Sequence, residues 1–153
     1  MPVSEIHHVA VVVADLERSV TFYRDGLGYR QGAGLTLDGD DLRDALRLPA
    51  GTTGRSVFLR GPSRQAMIEL LEWEAPFARP RTETSGPGAP GFYMLSFAVP
   101  ADEIDELRER LVALGGRSYG PPQPVLIGGT ASVVMCLVED PDGNLLEFVA
   151  TPA

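Results

Sequence analysis

The pattern of apolar and polar positions along the chain occurs twice. An apolar strand at 6–13 is followed by an acidic residue, a helix and a Leu-Gly pair, and the same order begins again at 94–99. Each half ends in an apolar strand that holds one acid, at 67–71 in the first half and at 145–149 in the second. This order predicts a duplicated unit of one strand, one helix and about three further strands.

The duplication places chemically useful residues at matching positions. Alignment of the halves on the last valine of each first strand sets His8 opposite Met94, and the acid-bearing strands that end the halves set Glu69 opposite Glu147. Polar residues at equivalent strand positions indicate a site where the two copies face each other. Side chains alternate along a strand, so His7 is expected to face away from His8 and to pack at the surface or against the helix.

Several local signals predict where elements begin and end. Asp15 is expected to cap the first helix and Asp102 the helix of the second half. Gly32 and Gly34 predict a turn after the first helix. Residues 40–46 fit either a short helix or a strand broken by a loop.

The remaining signals divide the chain. Antiparallel strands are expected at 56–60 and 67–73, a strand at 130–138, and a tight turn at 140–144. The proline- and glycine-rich stretch 75–90 reads as a linker that doubles as a cover over a site. The predicted division is a first module at 1–74, this linker, and a second module at 91–153, all within one compact domain.

Composition narrows the classes of function. The net charge of −8 argues against nucleic acid, which requires clustered Lys and Arg. An acidic surface for solubility and an acidic cleft for a cationic ligand both remain open. No apolar run approaches the roughly 20 residues of a membrane span, so a soluble cytoplasmic protein is expected. The single cysteine, Cys136, lies in an apolar strand and is expected to be a core residue.

Six short segments have an order and spacing that chance hardly produces. They are HVA at 8–10, DLERS at 15–19, FY at 22–23, LG at 27–28, IEL at 68–70 and EDPDGNLLE at 139–147. Together they resemble the vicinal oxygen chelate superfamily. That superfamily includes glyoxalase I, methylmalonyl-CoA epimerase, extradiol dioxygenases, and the fosfomycin and bleomycin resistance proteins.

The resemblance implies an α+β fold of two tandem βαβββ modules, with curled mixed sheets around a cup-shaped site. In metal-dependent members each module donates a ligand from its first strand and another from its last strand. The matching positions here are His8, Glu69, Met94 and Glu147. Imidazole and carboxylates suit zinc, nickel, iron, cobalt or manganese, whereas a thioether is a soft, poor ligand for these metals. We therefore expect His8, Glu69 and Glu147 to bind one divalent metal with Met94 uncoordinated, and a metal-free protein is the alternative.

The same site would hold the catalytic and substrate-binding groups. Glu69 and Glu147 are the candidates for moving a proton at the carbon next to a carbonyl. Alternation places part of the predicted lining on the face of Glu69, and part flanks the second-half strand. The predicted substrate-binding residues are Met67, Leu71, Trp73, Tyr93 and Met94.

The resemblance leaves several functions open. The first is a glyoxalase- or epimerase-like metal-dependent lyase or isomerase acting on a small organic molecule. The alternatives are a metal-free protein that binds a small molecule or an antibiotic, as bleomycin resistance proteins do, and a metal-free biosynthetic enzyme. An extradiol dioxygenase is the least supported, because its second histidine should stand at Met94. Small members of the superfamily usually pair, so a homodimer is expected, without nucleic acid or membrane partners.

Overall fold

The structure is a computed structural model, and it describes residues 5–63, 66–74, 90–127 and 131–150. The chain divides into two compact units, Met1–Pro80 and Arg81–Ala153. The predicted linker at 75–90 lies outside the described residues, apart from Pro90. Among the helices that the structure describes, none combines the length and the apolar composition needed to cross a bilayer.

The first unit contains four strands and two helices. In chain order the elements are β1 (His8–Val12), α1 (Leu16–Thr21) with a π-helical continuation (Phe22–Gly26), β2 (Arg30–Leu37), α2 (Asp40–Leu46), β3 (Gly54–Arg60) and β4 (Met67–Trp73). The sheet order is β1-β4-β3-β2. Strand β1 runs parallel to β4, and the other two pairs are antiparallel.

One face of this sheet packs against α1. Val11 and Val13 point to the same side as Leu70 and are buried with it. Val20 on α1 is also buried, and α1 contacts β3 and β4. Burial of each large apolar side chain contributes about 1.5–3 kcal/mol, so this face is the core of the unit.

The second unit repeats the arrangement with one helix. Its elements are β5 (Leu95–Ala98), α3 (Ile104–Ala113), β6 (Arg117–Ser118), β7 (Gln123–Ile127), β8 (Ala131–Glu139) and β9 (Leu145–Ala150). The sheet order is β5-β9-β8-β6, and β7 also pairs with β8. As in the first unit, the first strand runs parallel to the last, and the other pairs are antiparallel.

The core of the second unit lies between α3 and the sheet. Ile104, Leu107 and Leu111 recur at helical spacing along α3, and all three are buried. Helix α3 contacts β8, whose Cys136 is buried, as expected for a core residue. Burial raises the pKa of the Cys136 thiol, which keeps it protonated. The α+β class and the repeated strand–helix–strands order are therefore confirmed.

The helix caps differ between the repeats. Asp15 is confirmed as an N-cap, since its Oδ1 accepts a hydrogen bond of 2.9 Å from the backbone N–H of Arg18. The prediction for Asp102 is wrong. Helix α3 is preceded by Glu103, which makes no side-chain cap hydrogen bond. Asp102 lies instead in the turn before the helix.

The prediction of a turn at Gly32 and Gly34 is also wrong, because both residues lie inside β2. The pairing of β2 with β3 shifts register between Gln31 and Gly34, which marks a β-bulge. A Cβ atom at Gly32 would come within 3.0 Å of the Phe58 carbonyl oxygen. A glycine in this strand thus permits a close approach of two backbones. The ambiguous segment at 40–46 is the helix α2.

Candidate functional site

The parallel pairing of β1 with β4 creates the open face of the first sheet. Paired residues point to the same side, and the register matches His8 with Met67 and Ala10 with Glu69. Phe58 pairs with Glu69 across β3 and β4, so it shares this side. We call this side the open face; its members are His8, Ala10 and Val12 on β1, Gly54, Ser56, Phe58 and Arg60 on β3, and Met67, Glu69, Leu71 and Trp73 on β4.

His8 and Glu69 lie in direct contact on the open face. The His8 Nε2 atom is 3.4 Å from Oε2 of Glu69, and the two side chains are 36% and 13% exposed, respectively. The edge of the Phe58 ring packs against the imidazole, with 5.4 Å between the ring centroids. The pair therefore joins a half-buried carboxylate to an accessible imidazole, a combination suited to proton transfer or to metal ligation.

A third polar residue, His7, contacts His8. The Nδ1 atoms of His7 and His8 are 2.8 Å apart, and the two rings meet edge to face at 5.1 Å. One Nδ1 donates and the other accepts, as the tautomers dictate. The expectation that His7 faces away from His8 is wrong. His7 precedes β1, and only its backbone continues the ladder, through a hydrogen bond from the Met67 N–H to its carbonyl.

The second unit repeats this geometry with different residues. Glu147 pairs with Ser96, as Glu69 pairs with Ala10. Met94 stands two residues before Ser96, as His8 stands two residues before Ala10. Met94 lies immediately before β5 and is 37% exposed, whereas Glu147 is only 8% exposed. The register of each sheet thus supports the predicted equivalence of His8 with Met94 and of Glu69 with Glu147.

The predicted lining residues differ in accessibility. On the open face, Met67 and Leu71 are buried. Trp73 is half-buried and packs on Gly54, where an added Cβ would come within 2.7 Å of the Trp73 ring. In the second unit Tyr93 and Met94 are exposed.

The structure thus brings His8 and Glu69 together within one unit. Convergence of Glu147 on the same site remains a prediction, as do the substrate-binding roles. Sequence reasoning missed His7 and Phe58 as neighbours of the pair. The His-His doublet and strand alternation at 56–60 were the available signals.

The donor chemistry fits part of a metal site. Two ligands held at about 2.1 Å from a tetrahedral ion lie about 3.4 Å apart. That is the observed separation of the His8 and Glu69 atoms. Over the residues that the structure describes, no group of three or more His, Cys, Asp or Glu side chains is arranged to hold a metal ion. A metal ion bound by His8 and Glu69 would therefore need further ligands.

The turn between β8 and β9 has a structural role, as predicted. The Asp140 carboxylate is buried and accepts hydrogen bonds from the backbone N–H groups of Asp142 and Asn144, at 2.9 and 2.8 Å. Asn144 Nδ2 donates a further hydrogen bond of 2.8 Å to Asp140. Gly143 adopts a positive φ of 83°, which a glycine accommodates without strain. The turn fixes the start of the strand that holds Glu147.

Comparison with known proteins agrees with this architecture. The sequence model of the Glyoxalase/Bleomycin resistance protein/Dioxygenase superfamily matches residues 5–148. A 2-epi-5-epi-valiolone epimerase from an Actinomyces species is 32% identical over 155 residues, covering 97% of this chain and 80% of that protein.

Solved structures show the same fold. A glyoxalase family protein from Bacillus cereus has a TM-score of 0.83 at 20% identity, covering 100% of this chain and 97% of that one. A fosfomycin resistance protein from Listeria monocytogenes, complexed with Mn(II) and sulfate, has a TM-score of 0.63 at 18% identity, covering 99% and 95%. The chain therefore belongs to the glyoxalase/bleomycin resistance protein/dioxygenase superfamily, the vicinal oxygen chelate superfamily that its sequence resembles.

Proposed function

We propose that the protein is an epimerase-type isomerase that moves a proton at the carbon next to a carbonyl of a small organic molecule. The observation that supports this most directly is the contact of His8 with Glu69, at 3.4 Å on the open face. The similarity to a 2-epi-5-epi-valiolone epimerase favours the isomerase branch over the lyase branch. Membership of the superfamily is consistent with either branch.

Epimerisation requires removal of a proton from one face of a carbon and return of a proton to the other face. Glu69 is suited to one of these steps, because its carboxylate is partly shielded from water and is contacted by His8. We assign the second step to Glu147, its repeat equivalent. His8 would orient Glu69, and the contact with His7 would hold the His8 ring in place.

The same residues are candidates for holding a divalent metal. The proposed ligands are His8, Glu69 and Glu147, and Met94 stays uncoordinated because a thioether is a poor partner for the metals that these donors prefer. When bound, the metal would act as a Lewis acid on the carbonyl oxygen. The separation of the His8 and Glu69 donor atoms suits two ligands of one ion.

A second candidate is a metal-free protein that binds a small molecule. The supporting observation is the exposed Met94 at the position equivalent to His8. A third candidate is a metal-free enzyme that uses His8 and Glu69 for acid–base chemistry. The dioxygenase alternative has the weakest support, since Met94 occupies the place of its second histidine.

The proposal is tested with 2-epi-5-epi-valiolone as the probe, because that compound is in the name of the relative. The wild-type protein should form an epimer, detected by NMR. Glu69→Gln should slow this by about 10²- to 10⁴-fold through loss of general acid–base catalysis. The matched control is Glu72→Gln, which removes an acid from the same strand where it pairs with Arg55 on the opposite face. Equal rates for wild type and Glu69→Gln would contradict the proposal.

A further inference from the structure

Two arginines face each other across β2 and β3. Arg30 and Arg60 are directly paired in the antiparallel register, and both are exposed. Like charges at directly opposed positions of a sheet destabilise it. Among the residues that the structure describes, no carboxylate forms an ion pair with either arginine. Within the described part of the chain, these two positive charges thus have no carboxylate counterion.

At the equivalent position, the second unit has a pair of opposite charges. Arg117 pairs with Glu139 across β6 and β8. The guanidinium and the carboxylate form two parallel hydrogen bonds, of 2.9 Å from Nε and 2.6 Å from Nη2. The Tyr119 hydroxyl donates a third hydrogen bond, of 2.5 Å, to Glu139. An arginine at this position can therefore be fully engaged by one oxyanion.

Register establishes the equivalence of the two pairs. Arg30 and Arg117 both stand two residues after the glycine of a Leu-Gly pair that follows the helix. Arg60 stands two residues beyond Phe58, the partner of Glu69. Glu139 stands two residues beyond Leu137, the partner of Glu147. Where the second unit has Glu139, the first unit therefore has Arg60.

A cavity of about 200 Å³ lies at the arginine pair. Its lining consists of Gly28, Arg30, Arg60, Gly61 and Pro62. The volume is several times the roughly 30 Å³ that a water molecule occupies in the liquid, so a small anionic group fits. Two of the lining residues are glycines, and a Cβ at Gly61 would come within 3.0 Å of the Tyr29 ring.

Arg60, which lines this cavity, is on the same side of the sheet as the His8–Glu69 pair. Arg60 follows Phe58 by two residues along β3, so alternation places both on the open face. Phe58 in turn packs on the His8 ring. A substrate lying along this face would meet the arginines at one end and the histidine–carboxylate pair at the other.

We propose that Arg30 and Arg60 form an oxyanion subsite that binds a phosphate group of the substrate. Two guanidinium groups carry two positive charges, which match a phosphate dianion better than a single carboxylate, and each can donate two hydrogen bonds to its oxygens. The epimerase would accordingly accept phosphorylated small molecules in addition to the unphosphorylated 2-epi-5-epi-valiolone. That last step rests on the proposed function, whereas binding of the anion does not.

Inorganic phosphate is the probe, and binding is measured by calorimetry and by thermal melting at constant ionic strength. Phosphate should raise the Tm of the wild-type protein. Acetate, which tests binding of a carboxylate, should raise the Tm by less. Arg60→Glu copies the second unit, so it should melt higher than wild type without phosphate and show no response to phosphate. Arg60→Gln should weaken phosphate binding by about 10-fold or more without adding a charge. Arg117→Gln, the matched control, should retain the phosphate response.

The outcomes separate this inference from the proposed function. Absence of phosphate binding to the wild type, or an undiminished response in both Arg60 variants, would overturn the subsite even if epimerisation were observed. A stronger response to acetate than to phosphate would overturn the assignment to a phosphate group. Phosphate binding that depends on Arg60, without any epimerisation, would retain the subsite and overturn the proposed function alone.

Discussion

Glu69 lies within 3.4 Å of His8 because β1 runs parallel to β4, with Ala10 opposite Glu69. His8 lies two residues before Ala10 on β1, so the two side chains are on the same face. The pairing thus joins the first strand of the unit to the last. It brings together an imidazole and a carboxylate that are far apart in the sequence. The same offset in the second unit places Met94 in the position of His8.

The two repeats offer a matched test of helix capping. Asp15→Ala should lower the free energy of unfolding by about 1 kcal/mol, because the N-cap hydrogen bond to the Arg18 N–H is lost. Asp102→Ala should change it by less than about 0.5 kcal/mol, since Asp102 lies outside the helix. Urea denaturation measures both values. Equal losses would show that Asp102 has a capping role after all.

The metal content of the protein should depend on Glu147 and should change when Met94 is replaced by a metal ligand. Protein purified without chelator is expected to hold one divalent metal per chain, and Glu147→Gln should remove it together with turnover. Met94→Ala should leave the metal in place, whereas Met94→His should tighten binding by supplying a harder donor. Elemental analysis after dialysis measures each case. A wild type without metal, together with uptake by Met94→His, would favour the metal-free alternatives.

The stability of the second unit should depend on pH through Glu139. Although burial by itself raises the pKa of this carboxyl, the hydrogen bonds from Arg117 and Tyr119 and the Arg117 charge outweigh it and hold the pKa below its usual value. The pair therefore stabilises the fold above the ordinary glutamate pKa of about 4.3 and loses that contribution as the pH falls through the lowered folded value. Thermal melts of Glu139→Gln should fall below wild type at neutral pH, and the two should converge in strong acid. A constant difference across that range would contradict this.

The protein is expected to be a homodimer at micromolar concentration. Several large apolar side chains are exposed on the separate units, including Val12 and Leu35 in the first and Leu126 in the second. Association that covers such side chains is favourable. Sedimentation equilibrium should give about twice the 16.4 kDa chain mass. A mass of one chain over the whole concentration range would refute the prediction.

Repetition of the pattern was enough to predict the repeated strand–helix–strands order and the acid-bearing strands, and residue preference predicted the first helix cap. Those features depend on local apolar periodicity and on residues whose role is set within a few positions. The sequence also predicts that His8 and Glu69 share a face, because alternation is strict in β1 and β4. The contact of His7 with His8 was missed, since His7 lies just before the strand, where alternation no longer applies.

Strands β2 and β7 both form despite residues that disfavour a strand. Gly32 and Gly34 are typical of turns, yet here they permit a bulge and a close approach to the Phe58 carbonyl. Pro124 is a strand breaker by propensity. Among the described strands, however, β7 pairs with β8 alone, so the missing N–H can fall on its unpaired side. In both cases a tertiary contact decides the conformation. The oppositely charged Arg117–Glu139 pair and the like-charged Arg30–Arg60 pair could not be predicted from the sequence, because the strand register is needed to identify them.

Solvent deuterium incorporation tests the central claim most directly. The protein is incubated with 2-epi-5-epi-valiolone in D2O, and deuterium in the recovered substrate and product is located by NMR. Proton transfer by the His8–Glu69 pair predicts deuterium at a single carbon next to the carbonyl, at a rate reduced by about 10²- to 10⁴-fold in Glu69→Gln. Epimer formed without deuterium, or deuterium incorporated equally fast by Glu69→Gln, would contradict the account.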